Sequence, residues 1–100
     1  MPRRRSHSFF TRAEFQQLLA LYSRRVGDGI WRDYAIAQRE QAAVFSVFRN
    51  ARERPDFAVV KNTATGTFDL YHGAKRVKRG TSLADALADL DRRSGFRVLG

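Results

Sequence analysis

The sequence has no cysteine. That absence removes disulfides, thiolate zinc sites and cysteine nucleophiles together. It suits a reducing compartment, so a cytoplasmic location is expected. No apolar run approaches the length of a membrane span, so no membrane association is expected. Met1 to Arg5 is basic like the start of an export signal, but Ser6 to Arg12 follows with only two aromatics, and no such signal is expected. Acid is scarce: Asp and Glu number 10 against 19 Lys and Arg, a net charge of +9. Histidine is scarcer, with His7 and His72 alone, and neither has a partner at metal-ligand spacing. There is no G-x-G-x-x-G turn, no P-loop and no serine in a nucleophile-elbow context. Nothing in the spacing of Asp33, Glu40 and Glu53 marks an acid–base pair. No catalytic residue, cofactor or metal is expected, and the chain is read as a non-enzyme.

What is present suffices for one folded domain. The 100 residues include 43% apolar and 12% aromatic side chains, enough for a core. Residues 1–8 read as a flexible basic arm and residues 9–100 as a single α+β domain. Thr11 and Glu14 form a capping box. Phe15, Leu18, Leu19, Tyr22 and Val26 then recur at helical spacing, and Gly27 is the expected left-handed stop. From Trp31 the period falls to two, with Arg32, Tyr34 and Ile36 on one face and Trp31, Asp33 and Ala35 on the other. Ala43 to Phe48 is apolar on both faces and reads as a central strand. Phe57 to Lys61 and Thr67 to His72 follow, joined by a loop ending at Gly66. Lys75 to Arg79 has one apolar residue and reads as an edge strand, where cations discourage stray pairing. Ser82 and Asp85 cap a second helix with a stripe of Leu83, Ala86, Leu87 and Leu90, ended by Gly95. Phe96 to Leu99 reads as a last short strand. The expected fold is an antiparallel sheet of four to five strands, flanked by an N-terminal and a C-terminal helix that cover one face.

Two segments admit a functional and a structural reading. Trp31-Arg32-Asp33-Tyr34 is either a surface where aromatics beside arginine stack on bases, or an Arg32–Asp33 pair at a strand start with Trp31 sealing the core. Val77 to Ser82 is either a phosphate site at a helix N-terminus or a solvated edge followed by an ordinary serine cap. The cations cluster in three places: the arm, Arg49 to Arg54, and Lys75 to Arg79. Sixteen of the 19 are arginine, whose fork suits phosphate.

Trp31-Arg32-Asp33-Tyr34-Ala35-Ile36, Ala43-Val44-Phe45-Ser46-Val47-Phe48-Arg49, and Lys78-Arg79-Gly80 with Leu83, Leu87 and Leu90-Asp91-Arg92 together resemble a small alphaproteobacterial domain-of-unknown-function family. The resemblance covers about Phe15 to Leu99. It implies a stand-alone cytoplasmic bacterial protein and carries over no site residues. The element order also invites comparison with double-stranded RNA-binding domains, but here the cations precede the second helix rather than begin it.

The leading expectation is a non-enzymatic accessory protein that binds nucleic acid through phosphates. The expected contacts are Arg3, Arg4, Arg5, Arg49, Arg52, Lys75, Arg76, Lys78 and Arg79. The alternative is a protein–protein adaptor or homodimer that uses an uncovered sheet face.

Overall fold

A computed structural model describes residues 8–50 and 54–95. Helix α1 runs over Arg12–Gly27, followed by strands β1 (Asp33–Gln38), β2 (Ala42–Phe48), β3 (Phe57–Asn62), β4 (Thr67–His72) and β5 (Lys75–Gly80), then helix α2 (Leu83–Ser94). The strands form one five-stranded antiparallel sheet in chain order. This is the α+β architecture the sequence predicts. The strand expected at Phe96 to Leu99, the arm residues 1–7 and Arg52 lie outside the described residues.

Local chemistry sets the boundaries. The α1 capping box is complete: Thr11 Oγ1 accepts from the Glu14 backbone N–H at 3.1 Å, and Glu14 Oε1 accepts from the Thr11 N–H at 2.8 Å. Gly27 is the last helical residue rather than the left-handed one. Asp28 caps the helix, and the positive φ of +77° falls two residues later at Gly29, where a side chain would be strained. Ser8, grouped by sequence with the arm, is tied down. Its N–H donates to Arg39 O at 2.7 Å, and its hydroxyl hydrogen-bonds with Glu40 O and Thr63 Oγ1.

Both helices lie on one face of the sheet. Phe45, Val47, Phe57, Val59 and Leu70 from that face meet Leu18 and Leu21 of α1 and Leu83 and Leu90 of α2. The α1 stripe is rotated from expectation: Leu21 is buried and Val26 is 41% exposed. Trp31 lies just before β1, where strand alternation does not yet apply. It is 1% exposed and stacks on Tyr22 at 6.3 Å. The structural reading of Trp31 therefore holds, but its expected Arg32–Asp33 partner pair does not form. Asp33 Oδ1 instead accepts from the Tyr34 backbone N–H at 2.8 Å. The strand expected at the centre, Ala43 to Phe48, forms as Ala42–Phe48 and is second in the sheet, an interior position, while β3 is the middle strand.

The strand register defines the opposite face. Ala35, Ser46, Ala58, Tyr71 and Arg76 stand in one row across the five strands. Ala37, Val44, Val60, Asp69 and Arg79 stand in the next. Phe48 lies one row toward the end at which β1, β3 and β5 start. Val44, Phe48, Val60 and Tyr71 are only part-buried, and none packs against the core cluster. No described helix covers them. A bulge between Leu70 and Tyr71 shifts the β5 register. Strict alternation would put Arg76 and Arg79 on opposite faces. The extra residue turns Val77 toward the core and places both arginines on the open face.

Candidate functional site

Pairing separates structural charges from available ones. Among the described residues, most carboxylates already hold a cation. Glu14 pairs with Lys61 at 2.8 Å, Asp28 with Arg25 at 3.0 Å, Asp56 with Arg49 at 3.2 Å and Asp69 with Arg79 at 2.8 Å. Asp89 holds Arg92 and Arg93, and Asp91 holds Arg24 and Arg25. Arg12, Arg32, Arg39, Arg54, Lys75, Arg76 and Lys78 have no such partner. The excess positive charge is therefore concentrated in residues that the fold leaves free.

Most of that excess gathers at one end of the sheet. The Arg32 backbone N–H donates to Phe48 O at 2.8 Å, extending the β1–β2 ladder and placing Arg32 at the same end as Arg49. The loop after β2 returns to meet the β4–β5 turn, where the Gly73 N–H donates to Asp56 O at 3.0 Å. Gly73 takes a φ of +61°, which a tight turn requires and other residues adopt at a cost. This brings Arg49, Arg54, Pro55, Asp56, His72 and Gly73 around one cleft of about 250 Å³. Lys75 and Arg76 follow directly from the turn and are exposed.

Asp56 organises the cleft. Its Oδ2 accepts from Trp31 Nε1 at 3.1 Å and from Arg49 Nε at 3.2 Å, and its Oδ1 lies 3.8 Å from His72 Nε2. The His72 ring stacks on Phe57 with centroids 4.4 Å apart, which fixes it at the cleft rim. One carboxylate thus faces Arg49, Arg54 and His72, and the balance of charge favours an anion. A second opening of about 430 Å³, lined by Phe9, Phe10, Phe15 and Ile36, is mainly apolar. Among the described residues no group of His, Asp and Glu is arranged to hold a metal ion.

The expected contacts divide. Arg49 lines the cleft with Arg54 and His72, which are not among the contacts expected, while Lys75 and Arg76 lie on the first residues of β5, just past its turn. Arg79 is committed elsewhere: its Nε and Nη2 grip the two oxygens of Asp69 at 2.9 and 2.8 Å. That hydrogen bonding holds the Asp69 carboxyl below its ordinary range despite a burial that works to raise it. Lys78 sits opposite Leu70, on the helix-covered side of the edge strand, so it and Arg79 do not form one patch. Ser82 Oγ accepts from the Asp85 N–H at 3.2 Å, which makes it an ordinary cap. Arg3, Arg4, Arg5 and Arg52 lie outside the described residues.

A family profile described as "Protein of unknown function (DUF2794)" matches residues 8–86. No curated protein and no solved structure matches the chain.

Proposed function

Since the chain belongs to the DUF2794 family, whose description names no function, we propose one from its own side chains: it binds nucleic acid through phosphates, as a non-enzymatic accessory protein of the bacterial cytoplasm. One observation carries this reading. Cations from two stretches separated in sequence, Arg49 with Arg54 and Lys75 with Arg76, lie at one end of the sheet, and Arg54, Lys75 and Arg76 form no salt bridge. Phosphate neutralises such charges and releases its own counterions, so binding of this kind weakens steeply with salt.

The test is fluorescence anisotropy of labelled DNA and RNA, single- and double-stranded, at about 50 and about 200 mM salt. Micromolar or tighter binding that weakens with salt supports the proposal. The double variant Lys75→Glu with Arg76→Glu should weaken binding to every sequence alike. Failure of all four nucleic acids to bind at the lower salt rejects it.

The second reading, self-association, draws on the small apolar floor of the open face: Ala35, Ala37, Val44, Ala58 and Val60. Light scattering decides it, because a strict monomer at high concentration rules it out.

A further inference from the structure

We propose that the open sheet face is a stacking platform for single-stranded nucleic acid, an inference that rests on the phosphate-binding reading above and names its substrate. The twelve aromatic residues are not equally placed. Phe15, Tyr22, Trp31, Tyr34 and Phe45 pack on one another beneath the helices. Phe48 and Tyr71 do not; they stand part-buried on the open face, away from the core cluster. They sit on β2 and β4, roughly 12 Å apart by strand spacing and rise per residue. That separation gives each ring a base of its own on an extended strand. Between and beside them lie Ser46, Ala58 and Ala35, too small to obstruct a base lying flat.

The cations fit the same ligand. Arg76 stands directly across from Tyr71 in the β4–β5 register, so a base on the ring has a guanidinium beside it. Arg49 directly follows Phe48 at the end of β2, Arg54 lines the cleft at that same end of the sheet, and Lys75 starts β5 there, opposite His72 on the helix-covered side. A strand whose bases lie on the rings can run its phosphates along this rim. The face holds one buried acid, Asp69, and Arg79 neutralises it. Asp33, across from Phe48, bends back to its own backbone and is preceded by the unpaired Arg32.

Charge also argues against a second copy of the chain as the occupant. Six of the described carboxylates, Glu14, Asp28, Asp56, Asp69, Asp89 and Asp91, are already held by cations of the same chain, so a copy has little acid to offer Arg54, Lys75 and Arg76. A duplex buries its bases and leaves the rings nothing to stack on, whereas a single strand exposes them.

The experiment compares labelled oligothymidine and oligouridine of about 12 nucleotides, a length within the usual single-strand site sizes, with a DNA duplex of equal length. The proteins are wild type, Phe48→Leu, Tyr71→Leu, Tyr71→Trp and the control Phe9→Leu, an exposed aromatic beside the apolar opening. Single strands should bind at least ten-fold tighter than the duplex. Each leucine variant should lose roughly 5- to 150-fold, the range for removing one stacked base, while its salt dependence stays as in wild type. Tyr71→Trp and Phe9→Leu should bind as wild type does, and Tyr71→Trp keeps the test valid if the leucine variants fold poorly. A preference between the two oligomers sets DNA against RNA, through the sugar and the thymine methyl together. Salt-dependent binding that is equal for duplex and single strand, or is unmoved by ring removal, overturns the platform and leaves the phosphate reading standing. Absence of all binding rejects both. A stable dimer whose dissociation by Val44→Arg opens the face also overturns it, by assigning the surface to a second copy.

Discussion

The indole Nε1 of Trp31 donates to Asp56 Oδ2 at 3.1 Å, and the same oxygen accepts from Arg49 Nε at 3.2 Å. A core tryptophan and a surface arginine thus share one acceptor, which couples the packing beneath α1 to the basic cleft. Asp56→Ala leaves the indole N–H unsatisfied in a nearly closed site and should destabilise the fold by about 1–3 kcal/mol. Asp56→Asn keeps an oxygen for the indole and should cost less. Arg49→Ala removes a largely exposed partner and should cost under about 1 kcal/mol. Trp31 is the sole tryptophan. Its emission therefore reports the first two directly, in urea titrations that should show a lower midpoint and a red shift for Asp56→Ala.

The Asp69–Arg79 pair predicts how stability changes with acid. Asp69 is 1% exposed, and hydrogen bonding from Arg79, against the effect of burial, holds its carboxyl below the ordinary range. In the unfolded chain it takes up its proton near the ordinary value of about 3.9. Between that value and the lower folded one, the unfolded state binds more protons, so acid favours unfolding there. The pair's contribution is complete above the ordinary value and is lost as the pH falls through the folded one. Partial burial raises the Glu14 pKa, but hydrogen bonds from Lys61 and Thr11 outweigh it, giving a shift in the same direction. Urea midpoints should fall as the pH drops below about 4. Asp69→Asn should lower the midpoint at neutral pH and flatten that acid limb. Arg79→Ala should lower the midpoint at neutral pH and flatten or reverse the acid limb, since burial without its main partner raises the folded carboxyl toward or above its unfolded value, and protonation then no longer favours unfolding.

The helix stripes show what a single sequence can and cannot specify. The helix N-caps, the two-residue alternation within β1 to β4 and the strand-breaking loops are legible, because each depends on neighbours in sequence; the left-handed glycine after α1 and the β5 bulge are not. Nor is the depth of each α1 residue. Helical spacing made Val26 equivalent to Leu18, yet α1 lies so that Leu18 is 1% and Val26 41% exposed. Leu18→Ala should cost about 2–5 kcal/mol through lost burial and a cavity. Val26→Ser should stay within about 0.5 kcal/mol. Thermal melts of the two variants check the rotation of the helix.

Arg25 illustrates the same limit in a charged residue. By sequence it is one of two cations in the last turn of α1, suited to the helix dipole. In the fold it crosses to α2. It donates to Asp28 at 3.0 Å, to the Asp91 carbonyl at 3.2 Å and to Ser94 Oγ at 3.4 Å, and it also pairs with the Asp91 carboxylate. Its side chain is 12% exposed, against 61% for its neighbour Arg24. An ammonium cannot span these acceptors as the planar fork does. Arg25→Lys should therefore destabilise by about 1–3 kcal/mol, the scale of lost hydrogen bonds to a charged group. Arg24→Lys should be nearly silent, and chemical denaturation of the pair separates a helix-to-helix clamp from a simple dipole effect.

The candidate site was legible only as composition. The sequence displays basic clusters, but two events that depend on tertiary pairing decide which cations are available. The β4–β5 turn meets the loop after β2 through the Gly73–Asp56 hydrogen bond, and the β5 bulge sends Arg79 onto Asp69. Arg54, Lys75 and Arg76 form no salt bridge, while Arg49 is shared with Asp56. If these three free cations each neutralise one phosphate of a single strand, the slope of log K against log salt should be about −2. Lys75→Glu with Arg76→Glu should bring it above about −1. Arg79→Gln should leave the slope unchanged, because that guanidinium is already neutralised. A slope altered as much by Arg79→Gln as by the double variant would mean that Asp69 releases Arg79 to the ligand, and the charge layout would have to be redrawn around the edge strand.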